Sequence, residues 1–298
     1  MSPRARILTL VSVASAAAAA VAVGATLLQS DDPAGTPLPE GDPPLVLDLG
    51  EREDAEARYL ARALELYDGG DKEAARELFA RHRSLEARVG LAIASWPDGS
   101  LARLEQLAEE QPRDGIVHLN LGFALFWSGL REEALATWRD VRRIAPDSLA
   151  AVRAGDLLFP QFARGQPIFV PGRPEGDVRR HLLAGVRFQR LGRQLSARGE
   201  YDEAARLAPD DPDPLVAAAV ARFDKANPAA AFSRLGPLAR RFPRAPTVRF
   251  HLGLLLLWTG QVDEARRQLE QAAAADPDDP LAREAEAFLE RLEDIENG

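Results

Sequence analysis

The chain has 298 residues, 46% hydrophobic and 28% charged, which is apolar material for a sizeable core or an elongated array and too much for a disordered tail. Its net charge of −9 excludes general nucleic-acid affinity, which needs clustered cations to displace counterions. The absence of cysteine excludes a disulfide framework, a thiolate nucleophile and any cysteine-based zinc site. Lys72 and Lys225 are the only lysines, and arginine-borne basic charge with abundant alanine points to a high-GC bacterial composition.

Arg4 and Arg6 precede an uncharged run from Ile7 to Leu28, followed by Asp31 and Asp32. As a helix, that run would be about 33 Å long, enough to cross a hydrocarbon core. Charge before and after it predicts a signal anchor over residues 1–30, with a cytoplasmic N-terminus and the bulk of the chain outside the cytoplasm. The alternative is secretion after signal cleavage near Val23-Gly24-Ala25. Residues 31–52 are rich in proline and aspartate and read as a semi-rigid linker, although Leu45-Val46-Leu47 could dock onto the first helices.

Beyond the linker, helical patterns come in pairs. Units are expected near 53–82, 83–114, 115–148, 178–211, 212–245 and 246–279, with a capping helix over 280–298. Two are written most clearly, His118–Ser148 and Arg249–Asp279, sharing Leu-Gly, then Trp-Ser-Gly or Trp-Thr-Gly, then Glu-Ala and a closing proline. Counting back from Pro209 sets Gly185 where two helices approach, Gly192 at the turn and Gly199 inside a helix, despite its cost there of about 1 kcal/mol. Residues 149–177 break the pattern: a helix is followed by a proline- and glycine-rich loop that carries Phe162, Ile168, Phe169 and Val170. Long loops inside an array are usually functional or disordered, and that much apolar surface argues against disorder.

The recurrence of Pro209, Pro243 and Pro277 every 34 residues, with the glycines and alanines between them, resembles the tetratricopeptide repeat family from about Ala55 onward. The resemblance implies an all-α, right-handed superhelical solenoid whose first helices line a concave groove, here behind an N-terminal transmembrane helix. It also implies a protein or peptide partner and no chemistry of its own. No P-loop, GxSxG or dinucleotide fingerprint is present, and His82, His118, His181 and His251 lack metal-site spacing, so neither an enzyme nor a cofactor is expected.

Groove-lining candidates are Asn120, Phe123, Phe126, Trp127, Phe223, His251, Leu254, Leu257 and Trp258, unless these pack against neighbouring repeats. The loop from Phe162 to Val170 is expected to fold back over part of that aromatic surface. The family's basic clamp for carboxylates has only Asn120 as an echo, with Arg179, Arg190 and Arg249 as substitutes that solvation would equally explain. Acidic clusters at the inter-repeat turns, such as Asp210-Asp211-Pro212-Asp213, read as helix caps. The expected function is a membrane-tethered, extracytoplasmic adaptor. The alternative is an accessory subunit of an envelope assembly, as in cytochrome c maturation, cell-wall or secretion complexes.

Overall fold

Short polar residues start the helices where they precede apolar-periodic runs. Asp54, Asp71, Ser84 and Asp114 each accept a hydrogen bond from the backbone N–H three residues on, satisfying a donor that the first turn leaves open. Asp211 and Asp279, from the acidic turn clusters, accept from Asp213 N and Leu281 N. The computed structural model describes residues 39–172, 176–275 and 278–297, and these are helical with no strand among them. The expected anchor at 1–30, the first part of the linker, residues 173–175 of the loop and Pro277 lie outside the described residues. Among the described residues no helix is long and apolar enough to cross a membrane.

The chain divides into two compact units, one ending at Leu158 and the other beginning at Phe159. In the first, α1 (Ala55–Asp68) pairs with α2 (Lys72–Phe79), α3 (Leu85–Ala94) with α4 (Ser100–Glu110), and α5 (Gly115–Trp127) with α6 (Arg131–Ile144). Helix α7 (Leu149–Leu158) closes it. In the second, α8 (Gly176–Arg190) pairs with α9 (Gln194–Leu207), α10 (Pro212–Val220) with α11 (Ala229–Arg241), and α12 (Pro246–Trp258) with α13 (Val262–Ala273). Helix α14 (Pro280–Asn297) closes that one. Residues 149–158 thus hold the place of a first helix, and no second helix follows them.

Within each unit the first helices of successive hairpins touch: α1 with α3, α3 with α5 and α5 with α7, then α8 with α10, α10 with α12 and α12 with α14. The second helices do not approach one another's backbones. Each unit is therefore an inner row of first helices backed by an outer row of second helices, the layering of an α-hairpin array.

Close approach inside the hairpins is set by glycine. A methyl built on Gly122 would collide with the Trp138 indole, one on Gly185 with the Tyr201 ring, and one on Gly253 with Leu269. The α8–α9 turn is made at Gly192, whose φ of +73° suits a residue without a side chain, and Gly199 lies within α9. One apolar cluster fills each unit. Helix α5 is buried at every position from Leu119 to Trp127, and α12 at every position from Gly253 to Trp258.

Candidate functional site

Each unit carries a non-helical strap, ahead of its first hairpin, laid against the inner row of helices. Proline keeps both straps out of helix, since it lacks an N–H and clashes with the preceding turn. In the first unit the strap runs through Pro43, Pro44, Leu45, Val46 and Leu47, with Leu45, Val46 and Leu47 buried in the unit's core. Tyr67 of α1 donates its hydroxyl to Pro43 O at 2.6 Å. Asn120 of α5, fully buried, accepts from Val46 N at 3.1 Å and donates to Val46 O at 2.7 Å. Its Nδ2 also donates to Ile116 O, four residues back on its own helix, which fixes the amide's orientation. At the exposed margin Lys72 pairs with Asp42 at 2.8 Å. Residues 43–47 of the expected linker are thus seated in the core of the unit.

In the second unit the strap runs through Gly165, Gln166, Pro167, Ile168, Phe169 and Val170. Gln189 of α8 donates from Nε2 to Pro167 O at 3.0 Å and accepts at Oε1 from Phe169 N at 2.9 Å. The Tyr201 hydroxyl donates to the same Oε1 at 2.7 Å. His251 of α12 accepts at Nε2 from Val170 N at 2.9 Å, while its Nδ1 sits 2.7 Å from Thr247 O. Those two contacts require the neutral imidazole with its proton on Nδ1. Burial enforces that state, lowering the His251 pKa to about 4. The Phe169 ring stacks on His251 with centroids 4.7 Å apart and meets Tyr201 edge-on at 5.7 Å. Further along, Asp213 Oδ2 accepts from Gly172 N at 3.3 Å, and burial raises that carboxyl above its ordinary value. Burial likewise raises the Tyr67 and Tyr201 phenols, so both remain protonated donors.

The residues singled out in the sequence fall into two groups. Asn120 and His251 touch a strap, and the Trp258 carbonyl accepts from Ala163 N at 3.4 Å, two residues ahead of the second strap. Phe223 lies edge-on to Trp258, and Lys225, also buried, holds its ammonium 5.7 Å from the Trp258 ring. Phe123 and Phe126 instead face Trp138 of α6, with centroids 5.6 and 5.8 Å from it, and so fill the interior of their own hairpin. Trp127 packs beside them, its indole N–H buried and without a hydrogen-bond partner among the described residues. Leu254 and Leu257 are buried in the core of the second unit. Of the loop residues, Phe169 is buried and Ile168 and Val170 pack against the core; Phe162 is half-buried.

Arg179 and Arg190 are exposed, and Arg249 is bound to Gln268, Pro243 O and Ala239 O, away from the strap contacts. His181 lies 2.7 Å from Glu200 and His82 sits beside Tyr59, while His118 is half-buried. Among the described residues no group of three or more His, Asp or Glu side chains is arranged to hold a metal ion. Tyr67 and Gln189 were not distinguished in the sequence from ordinary core positions. The signal that marks them is their place three residues ahead of the turn glycines Gly70 and Gly192.

Rows of antiparallel helix pairs with a strap along the inner helices define an α-hairpin repeat protein. Residues 222–292 match the family described as tetratricopeptide repeat. Among solved structures it is similar to a thermophilic tetratricopeptide repeat protein of Thermus thermophilus, at 20% identity over 79% of this chain and 99% of that one, with a TM-score of 0.28. It is also similar to a tetratricopeptide repeat protein of Parabacteroides merdae, at 12% identity over 80% and 98%, with a TM-score of 0.32. A third is the TPR2AB domain of yeast Sti1 in complex with pHSP90, at 14% identity over 80% and 98%, with a TM-score of 0.32. No curated protein matches the chain.

Proposed function

We propose that the protein is a scaffold that binds a protein or peptide partner along the inner helices of its units, with no chemistry of its own. The observation that carries this reading is the pair of clamps. Each inner row holds a non-helical segment by its backbone carbonyl and N–H groups and buries a central apolar side chain. Surfaces built from such contacts suit peptide capture, because backbone bonds hold any sequence and pockets select among side chains. In this reading the hairpin rows form a right-handed superhelix, and the run from Ile7 to Leu28 tethers the chain to a membrane with its repeats outside the cytoplasm. That part rests on the charge and length of the run alone.

Capture by the full chain from detergent-solubilised membranes of its source tests the scaffold. Recovery of a defined partner, reduced when Gln189 and Asn120 are both replaced by alanine, supports it. Recovery unaffected by those changes counts against the inner rows as the site. The mass of the mature N-terminus separates anchor from cleaved signal.

A further inference from the structure

The two straps agree in sequence and in contacts, although nothing in a hairpin repeat requires it. Gly41-Asp42-Pro43-Pro44-Leu45-Val46 and Gly165-Gln166-Pro167-Ile168-Phe169-Val170 share glycine, proline and valine at the same places, with a large apolar residue before the valine. Both glycines are left-handed, with φ of +80° and +78°. In each, the proline carbonyl accepts from a side chain three residues ahead of the first hairpin's turn glycine, Tyr67 before Gly70 and Gln189 before Gly192. The valine N–H donates to a side chain nine residues ahead of the third hairpin's turn glycine, Asn120 before Gly129 and His251 before Gly260. Each of those acceptors is braced on the carbonyl four residues behind it. Three hairpins and one closing helix follow each strap.

The side chains differ between the units, a hydroxyl against an amide and an amide against an imidazole, yet the direction of every shared hydrogen bond is kept. A segment that merely filled space would need to preserve its shape and not its donors and acceptors. Because each strap precedes its first hairpin, it can leave without opening any helix pair.

We infer that the chain is a tandem of one module, strap plus three hairpins plus closing helix, and that each inner row is a binding site for segments of the pattern Gly-(Asp/Gln)-Pro-x-(Leu/Phe)-Val. The straps are its resident copies, displaced when a partner protein presents the same pattern. This rests on the scaffold reading above and names its ligand. A tethered strap competes at an effective concentration of about 1 mM, so an isolated peptide binds well only where the strap has been weakened.

The test uses the full chain and a fluorescent peptide of residues 40–48, which carries the first strap and is offered to the second groove. Phe169→Ala with Val170→Pro removes the second strap's anchor and its N–H donor. The expected result is binding at least about tenfold tighter than to the unaltered chain, lost by about tenfold when Gln189→Ala is added. Equal affinity for the altered and unaltered chains, no binding by the folded variant, or indifference to Gln189→Ala overturns the inference. Should circular dichroism show the variant unfolded, hydrogen exchange decides on the unaltered chain. Peptide at several times about 1 mM should speed exchange over residues 165–172, and unchanged exchange overturns the inference. A chain that captures a membrane partner yet ignores the peptide defeats this inference and leaves the scaffold standing. One that binds the peptide but captures nothing does the reverse.

Discussion

The first unit clamps its strap with groups that take up no proton in mild acid, and the second clamps its strap with an imidazole that does so as pH falls toward 4. Asn120 and His251 occupy matching places and both accept a valine N–H, but only the imidazole can gain a proton and turn from acceptor to donor. The central anchors differ too, Leu45 against Phe169, and only the second strap is stacked on its clamp. Bond direction is therefore the constraint shared by the two sites, whereas anchor size and sensitivity to acid are free to diverge.

The strongest way to separate the units is to remove the anchors. Phe169→Ala should destabilise the second unit by about 3–5 kcal/mol and Leu45→Ala the first by about 2–5 kcal/mol. Urea unfolding combined with hydrogen exchange should show each loss confined to the unit that carries the change, with exchange accelerated at Val170 in one case and at Val46 in the other.

Mild acid should weaken the strap clamp of the second unit and not that of the first. With the His251 pKa near 4 in the folded chain and near 6.5 in the unfolded one, the unfolded chain binds more protons between those values. The imidazole's contribution is thus fully present above about pH 6.5 and lost as pH falls toward 4, a change of roughly 3 kcal/mol. Asp213, raised by burial and by neighbouring Asp211 and Asp279, works in the opposite sense: its contribution is present in acid and lost as pH rises through its folded value. The decisive readout is local. Exchange at the Val170 amide, corrected for its intrinsic pH dependence, should rise across that window while exchange at Val46 does not.

Asn120→Ala should cost about 1–3 kcal/mol by leaving the N–H and C=O of Val46 buried without partners. Urea titration measures it, and the second unit's exchange should be untouched. The smallest effect is expected from Lys72→Met, which breaks the half-exposed pair with Asp42 and should change stability by no more than about 1 kcal/mol, less at high salt.

The hairpins were legible in the sequence because their punctuation is steric. Gly185 and Gly192 stand where a methyl would collide or where φ is positive, and that frame locates α8 and α9 even though Gly199 then falls inside a helix. The inward face of α5 was not legible. A helix buried on all sides from Leu119 to Trp127 has no polar stripe to orient it, so Phe123 and Phe126, read as groove residues, turn instead toward Trp138. Asn120 could be singled out as the lone amide in that run, and His251 stands out in α12 as its only titratable residue after Arg249. The straps escaped notice as a pair because their six-residue pattern does not recur at the helical period. Residues 149–177 read as a damaged repeat when they hold the closing helix of one unit and the strap of the next.

The glycine contacts at Gly122, Gly185 and Gly253 each receive a different bulk, an indole, a phenol and an isobutyl group. Hairpins that look alike on paper are in this respect keyed parts. Shuffling their second helices would set a tryptophan against a seat cut for leucine, or leave a leucine loose in a seat cut for tryptophan. The order of the hairpins along the chain is thereby written into the fit of three side chains, and a library of permuted arrays should recover few folded members unless each seat travels with its own occupant.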